Sequence, residues 1–319
     1  MEPKDWAGIH LKIGPAYVYS LTMMLGMLAA ILTVYYFWRR EKYSFEQLAI
    51  LVFIALPTAI IGARFVFVIQ QLIEYKGWND GPWYNMFAVW RGGLSIHGGV
   101  ITATICCILY VVFSKNPKKI DLKKAFSIIL PAVLIGQAIG RWGNFANHEV
   151  YGGIMEPSSL AFKILPPMIR QHMFIDGHYR LPLFLYESCA NLIGYILLVW
   201  VLNKWNWLRP GTTGALYILY YGIIRFGMEP LRAGSYTIYK VISALYIFVG
   251  LVLLILFEFV IKLNYNVYKI PNFKNKSLAN VFYFIVYEPK NTAKKLSAKE
   301  IAQLKEIKKD DEKKLNVGA

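Results

Sequence analysis

The sequence predicts an all-α polytopic membrane protein with seven transmembrane helices, and three observations carry that prediction. Of its 319 residues, 56% are hydrophobic and only 17% are charged, a balance too apolar for a soluble domain of this length. Seven apolar stretches, at 17–38, 48–73, 94–113, 125–139, 183–202, 214–228 and 241–261, come near or reach the ~20 residues a helix needs to cross about 30 Å of hydrocarbon. Basic residues gather in alternate loops between them.

Taken in order, the first span runs into Arg39, Arg40 and Lys42. The third is followed by Lys115, Lys118, Lys119, Lys123 and Lys124, and the fifth by Lys204 and Arg209. Short loops rich in Lys and Arg stay on the cytoplasmic side, so an odd number of spans sets the N-terminus outside and the C-terminus in the cytoplasm. The Lys-rich stretch after Lys262 belongs there too. Residues 1–14 carry Glu2, Asp5 and no apolar core, so they are not read as a signal peptide, and the first helix is read as an uncleaved anchor. Between spans two and three, Trp78, Trp83, Tyr84 and Trp90 read as interfacial aromatics. The fourth and sixth spans are short because they open into polar motifs that line a cavity. From 141 to 182 the chain makes its longest excursion, read as a small outer head. This divides the chain into a seven-helix transmembrane body with its outer head at 1–262 and a basic cytoplasmic tail at 263–319. The tail begins with an aromatic segment at 265–287 and closes with SAKEIAQLKEIKKDDEKK, where Ile301, Leu304 and Ile307 recur at helical spacing.

The net charge of +16 sits largely in this tail and the loops, which points to topology and anionic membrane lipid rather than to nucleic acid. Cys106, Cys107 and Cys189 fall within spans and read as packing residues, not a disulfide framework. No HExxH, DxD or clustered Cys/His set calls for a metal or a cofactor. The absence of GxSxG removes the usual serine esterase.

Three motifs concentrate polar residues at the ends of spans. In RGGLSIHGGVI, 91–101, His97 is bracketed by glycine pairs that permit close approach of backbone or ligand. In GRWGNFANHEVYGG, 140–153, Arg141, Asn144 and Glu149 follow directly on an apolar run. In YYGIIRFGMEPLR, 220–232, Arg225 and Glu229 share a helix face, with Tyr221 and Arg232 to either side. Arg64 adds a further cation within a span. A lone arginine at a membrane helix centre costs about 2.5 to 3.5 kcal/mol on insertion scales, so each needs a partner or a task. Buried ion pairs that fix helix register are the plain alternative. Arginine forks match phosphate oxygens, and glycine-flanked amides add donors; the set therefore suits an anionic phospholipid head group.

With LFLYES at 183–188 added, the combination closely resembles the phosphatidylglycerol:prolipoprotein diacylglyceryl transferase family, over about residues 13–253. The resemblance implies a bacterial cell-membrane enzyme with seven helices. It would transfer diacylglycerol from phosphatidylglycerol to the lipobox cysteine of a preprolipoprotein and release glycerol phosphate. Carried over motif by motif, the family's essential histidine matches His97. Its signature residues match Arg141, Asn144 and Glu149, its second arginine and glutamate match Arg225 and Glu229, and a tyrosine matches Tyr221. Tyr19 matches a first-helix tyrosine, although Ser20 stands where the family usually carries glycine. Ala233-Gly234-Ser235 stands where the family often places an acid after Arg232.

On this reading, His97, Arg141, Arg225 and Glu229 carry the chemistry, and Arg141, Asn144, Glu149, Tyr221 and Tyr19 bind the lipid. His97 is the first choice of base for the thiol, with an unperturbed pKa near 6.5. Arg141 and Arg225 hold the phosphate, Asn144 and Tyr221 orient it, and Glu149 and Glu229 position the arginines. A carboxylate base with His97 as phosphate donor stays open. The rival from another class is a transporter or scramblase for an anionic lipid or solute. The absence of internal repeats and the density of the 140–153 motif favour the enzyme.

Overall fold

The computed structural model describes residues 4–13, 16–75, 77–78, 81–114, 120–234, 237–261, 265–271 and 283–289. The chain divides into two compact units, Met1–Ile261 and Lys262–Ala319.

The first unit is mostly helical. In chain order it holds a strand pair β1 (Lys12–Ile13) and β2 (Ala16–Tyr17), then α1 (Val18–Arg40), α2 (Phe45–Glu74), α3 (Ile96–Phe113) and α4 (Leu122–Ala146). Two short helices, α5 (Leu160–Ile164) and α6 (Pro167–His172), and a hairpin, β3 (Phe174–Ile175) with β4 (His178–Tyr179), follow. The long helices resume with α7 (Leu183–Asn203), α8 (Thr212–Met228) and α9 (Thr237–Val260). Among the described residues six helices are long and apolar enough to cross a membrane: α1, α2, α3, α4, α7 and α9. The 17 residues of α8 run on into a tight turn at Glu229–Leu231.

Local chemistry sets the helix starts. Ser44 caps α2 in a reciprocal box: its hydroxyl accepts from the Gln47 amide at 3.3 Å, and the Gln47 side chain accepts from the Ser44 amide. Asp121 caps α4, accepting from Lys123 N at 2.9 Å. Glycine lets two helix pairs close. A Cβ on Gly26 of α1 would stand 2.8 Å from the Gly136 carbonyl of α4, and one on Gly98 of α3 would meet the Gly62 carbonyl of α2 at 2.5 Å. Such small-residue contacts are how helices approach where lipid supplies no hydrophobic drive. Much of the apolar surface stays outside: Phe53, Ile73, Ile96, Phe113 and Phe259 are all exposed, as side chains facing hydrocarbon need to be.

At one end of the bundle Phe37, Trp38, Leu51, Ile128, Ala132 and Val199 form the core. At the other, the head end, the segment after α4 folds over the helices around Phe145, Met155, Ile169, Met173, Ile175 and Phe184. The N-terminal segment is stitched to it, Trp6 N donating to Phe174 O at 3.0 Å and Leu11 N to Ala146 O at 2.9 Å. Backbone bonds also tie the head to the end of α8, with Gly153 N donating to Leu231 O at 2.9 Å.

Two expectations change. Hydropathy ends the fourth helix at 139 and begins the head at 141, whereas α4 continues to Ala146. The helix runs on because Arg141 and Asn144 meet protein partners rather than lipid, so the backbone has no cause to break. The chain is also not purely helical: besides the two short strand pairs, the second unit holds the antiparallel hairpin β5 (Tyr265–Pro271) and β6 (Tyr283–Pro289), with Tyr265, Ile285 and Tyr287 buried together. Aromatic and β-branched residues there favour strands. The charged run at 297–314 lies outside the described residues.

Candidate active site

Helix α4 places Arg141 and Asn144 three residues apart, on one face. Arg141 Nη1 donates to Asn144 Oδ1 at 3.2 Å, and Asn144 Nδ2 donates to Glu149 Oε1 at 2.8 Å. The loop carrying Glu149 is tightly held, its amide donating to Asn144 O at 3.0 Å. His148 and Val150 on either side take φ of 52° and 59°, a left-handed conformation that strains a β-branched residue. Glu149 is thus fixed against the helix end at a cost in backbone energy.

Facing this, α8 presents Arg225 and, one turn on, Glu229. Between the two helices stands Glu187 of α7: one oxygen pairs with Arg141 Nη2 and the other lies 3.3 Å from Arg225 Nη1. Glu229 Oε2 lies 3.6 Å from Arg225 Nη2 and 3.8 Å from Arg232 Nη1. The Glu187 and Glu229 side chains are 2% and 0% exposed, against 17% and 14% for Arg141 and Arg225, so the carboxylates form the floor and the guanidiniums the open face. Each guanidinium carries five donors. Those not used on carboxylates or Asn144 are free for an incoming anion.

The structure therefore brings together Arg141, Asn144, Glu149, Arg225 and Glu229. It also corrects how the arginines are positioned: Glu149 reaches Arg141 only through the Asn144 amide, and the bridge between the two arginines is Glu187. The sequence reading assigned Glu187 no role. Its signal was a carboxylate at the head of an apolar span, which the membrane makes costly without a task. Arg232 takes its carboxylate from Glu229, three residues before it, rather than from the residues after it.

Tyr19 of α1 joins the site across Gly143. A Cβ at Gly143 would stand 3.0 Å from the Tyr19 ring, which sets Tyr19 beside the helix turn that carries Arg141 and Asn144. Tyr221 sits in a row of rings: Tyr217 stacks on it at 6.1 Å, Tyr246 of α9 lies 6.0 Å to its other side, and His97 of α3 stacks on Tyr246 at 6.4 Å. Among the described residues no hydrogen bond or ion pair joins His97 to the arginine cluster; the row it belongs to passes Tyr221, one helical turn before Arg225 on α8. It is exposed, and among the described residues no hydrogen bond occupies its ring nitrogens.

Arg64 holds the segment leading into α3. Its guanidinium donates to Met86 O at 2.9 Å, Gly92 O at 2.6 Å, Gly93 O at 3.2 Å and the Asn85 carbonyl. All four acceptors are backbone. Arg64 is a clamp on the loop before His97.

In the head, Trp6 stacks on His172 at 4.0 Å and on His148 at 5.0 Å. His148 Nδ1 bonds the Ile9 carbonyl and its Nε2 lies 3.3 Å from His172 Nδ1. Burial lowers the pKa of both imidazoles, helped by Lys4, with His10 acting on His148 and His148 on His172. Asn144, His148, Glu149, Tyr151 and Phe184 line a shallow hollow beside them that has essentially no room for even a water-sized molecule.

Comparison with known proteins agrees over most of the chain. The family model described as prolipoprotein diacylglyceryl transferase matches residues 8–256. The phosphatidylglycerol–prolipoprotein diacylglyceryl transferase of Mycoplasmopsis pulmonis (strain UAB CTIP) is 47% identical over 249 residues, 76% of each chain. That of Streptococcus uberis is 36% identical over 78% of this chain and 94% of its own, and one from Streptococcus pneumoniae is 34% identical over 77% and 92%.

Proposed function

The chain belongs to the prolipoprotein diacylglyceryl transferase family and transfers the diacylglyceryl group of phosphatidylglycerol to prolipoproteins in a bacterial membrane; we propose that it does so at the Arg141–Glu187–Arg225 bridge. The observation that carries this reading is that one buried carboxylate holds two guanidinium groups from different helices. Two forks held apart in this way suit the tetrahedral oxygens of a phosphodiester better than two mobile cations.

The lipobox cysteine loses its proton to His97 and its sulfur attacks the glycerol carbon that bears the phosphate. The C–S bond forms as the C–O bond breaks, and glycerol phosphate leaves with the electron pair. Arg141 and Arg225 stabilise the charge growing on the leaving oxygen, Asn144, Tyr221 and Tyr19 orient the lipid, and Glu187, Glu229 and Glu149 orient the first group. His97 suits the base because its ring nitrogens are open to an incoming thiol. The chain crosses the membrane seven times, α8 included, with the N-terminus and head outside and the C-terminus in the cytoplasm. The basic loop residues support that orientation. Residues 263–319 form a tail that takes no part in transfer; they lie beyond the matched region.

The test is to incubate purified protein with phosphatidylglycerol and a lipobox peptide and to weigh the peptide. Gain of one diacylglyceryl group on cysteine is expected. Lipid or solute movement across vesicles with no gain of mass would instead favour a transporter.

A further inference from the structure

One turn or two further from the head, the helices that hold the arginines repeat the same arrangement with uncharged groups. Gln137 precedes Arg141 by four residues on α4, Asn191 follows Glu187 by four on α7, and Tyr217 precedes Arg225 by eight on α8. Each therefore lies on the face of its helix that carries the charged residue. Gln137 Nε2 donates to the Tyr217 hydroxyl oxygen at 3.2 Å, joining α4 to α8 as Glu187 does in the layer above. Nearby, Ser188 donates to Ala138 O at 2.9 Å, seating α7 on α4.

This layer leaves two oxygens over. Asn191 is 1% exposed, and its Oδ1 and the Oε1 of Gln137 are enclosed without a hydrogen-bond partner. A buried oxygen left this way costs about 1 to 3 kcal/mol, and folded proteins keep such groups rarely and for a reason. Both are acceptors, so the partner they lack is a donor.

We propose that this layer is the receptor for the hydroxyl groups of the lipid's polyol head group, with Asn191 Oδ1 and Gln137 Oε1 accepting and the Tyr217 hydroxyl donating. The inference rests on the transferase reading, in which the phosphate lies between Arg141 and Arg225. A glycerol esterified to that phosphate reaches about one helical turn, roughly 5 Å. Its two hydroxyls supply the donors that acyl chains lack. The layer would make Gln137 and Asn191 specificity-determining residues: they select a phospholipid by the hydroxyls of the group that leaves.

The experiment compares phosphatidylglycerol with phosphatidylpropanol, which keeps the phosphate and acyl chains and lacks both hydroxyls, as donors to a lipobox peptide in detergent micelles. For the wild-type protein we expect kcat/KM to favour phosphatidylglycerol by about tenfold or more, as a site that leaves its polar groups unpaired disfavours the analogue. Asn191→Leu and Gln137→Met should each bring that ratio close to one. A general loss of structure would lower both rates without moving the ratio. If Asn191→Leu does not fold, Asn191→Ala is read in the same way. A wild-type ratio near one overturns the inference, as does a wild-type preference that the folded variants retain. No transfer from either lipid overturns the transferase reading instead.

Discussion

Oε1 of Glu187 lies 3.3 Å from Nη1 of Arg225, while the other oxygen of the same carboxylate pairs with Arg141. A single side chain thus sets the spacing of two guanidiniums that come from different helices. Removing it leaves two cations facing each other inside the bundle. Glu187→Leu should destabilise the folded protein by about 3 to 5 kcal/mol, the usual cost of breaking a buried pair, read as a lower unfolding temperature in detergent. Glu187→Gln keeps the shape and one acceptor, so it should fold and lose tenfold or more in kcat/KM. A Gln variant with wild-type turnover would remove Glu187 from the site.

Arg141→Lys and Arg225→Lys test the fork rather than the charge. Each arginine spends one Nη on Glu187 and uses its other Nη on a second partner, Asn144 for Arg141 and Glu229 for Arg225. An ammonium cannot serve both and still present a planar pair of donors. Both variants should insert and fold while losing most of their turnover. Near-normal rates in both would show that point charge is enough.

His97→Gln should slow transfer by roughly a hundredfold or more, the range expected for loss of a general base, in protein that still folds. Tyr246→Ala would take away the ring on which His97 stacks and is expected to lower kcat by a smaller factor. An unchanged rate in His97→Gln would pass the role of base to a carboxylate.

The site was legible in the sequence where polar residues interrupt apolar runs. Arg141, Asn144, Glu149, Arg225 and Glu229 stand out because polar groups at membrane depth are costly without a partner or a task, and the structure brings all five together. Glu187 was passed over because it lies alone in LFLYES, without a neighbouring cation in sequence. Its partners, Arg141 and Arg225, are 46 and 38 residues away, at separations no spacing rule covers. The end of α4 was misplaced for a related reason: hydropathy reads the exposure a residue would have in lipid, while Arg141 meets protein. The hairpin at 265–289 was missed because a short aromatic segment carries little periodic signal beside seven long apolar ones.

The head should loosen in acid. His148 and His172 are held below the usual imidazole pKa, chiefly by burial. A group depressed in the folded state adds stability above its unfolded pKa, near 6.5, and that stability is lost as pH falls from there through the folded value. His148 donates from Nδ1 to the Ile9 carbonyl, which leaves Nε2 as acceptor for His172 Nδ1. A proton on that Nε2 sets two donors face to face beside Lys4 and His10, with Asp5 the nearby carboxylate on the same segment. As pH falls through that window the stacking of Trp6 on the imidazoles should give way, seen as a change in its environment by tryptophan fluorescence against a Trp6→Phe control. His172→Phe keeps a ring and should shift the transition to lower pH. The same transition in wild type and His172→Phe would place the sensitivity elsewhere.

Arg64 has a role that charge alone does not fill. Its fork donates to four backbone carbonyls between Asn85 and Gly93, and that segment ends three residues before α3 begins at Ile96, with His97 the helix's second residue. Lysine has a single nitrogen with three donors on a flexible stem, so Arg64→Lys must abandon at least one of these carbonyls, and Arg64→Met abandons all of them. Amide hydrogen exchange over residues 85–93 should therefore rise in both variants, more in Met than in Lys. Activity should fall in the same order, because His97 loses the fixed entry to its helix while Arg141, Glu187 and Arg225 stay in place. If exchange rises and activity does not follow, the clamp stabilises a loop and nothing more. If activity falls without any change in exchange, Arg64 acts on the lipid directly, and its four carbonyl contacts are not the reason it is there.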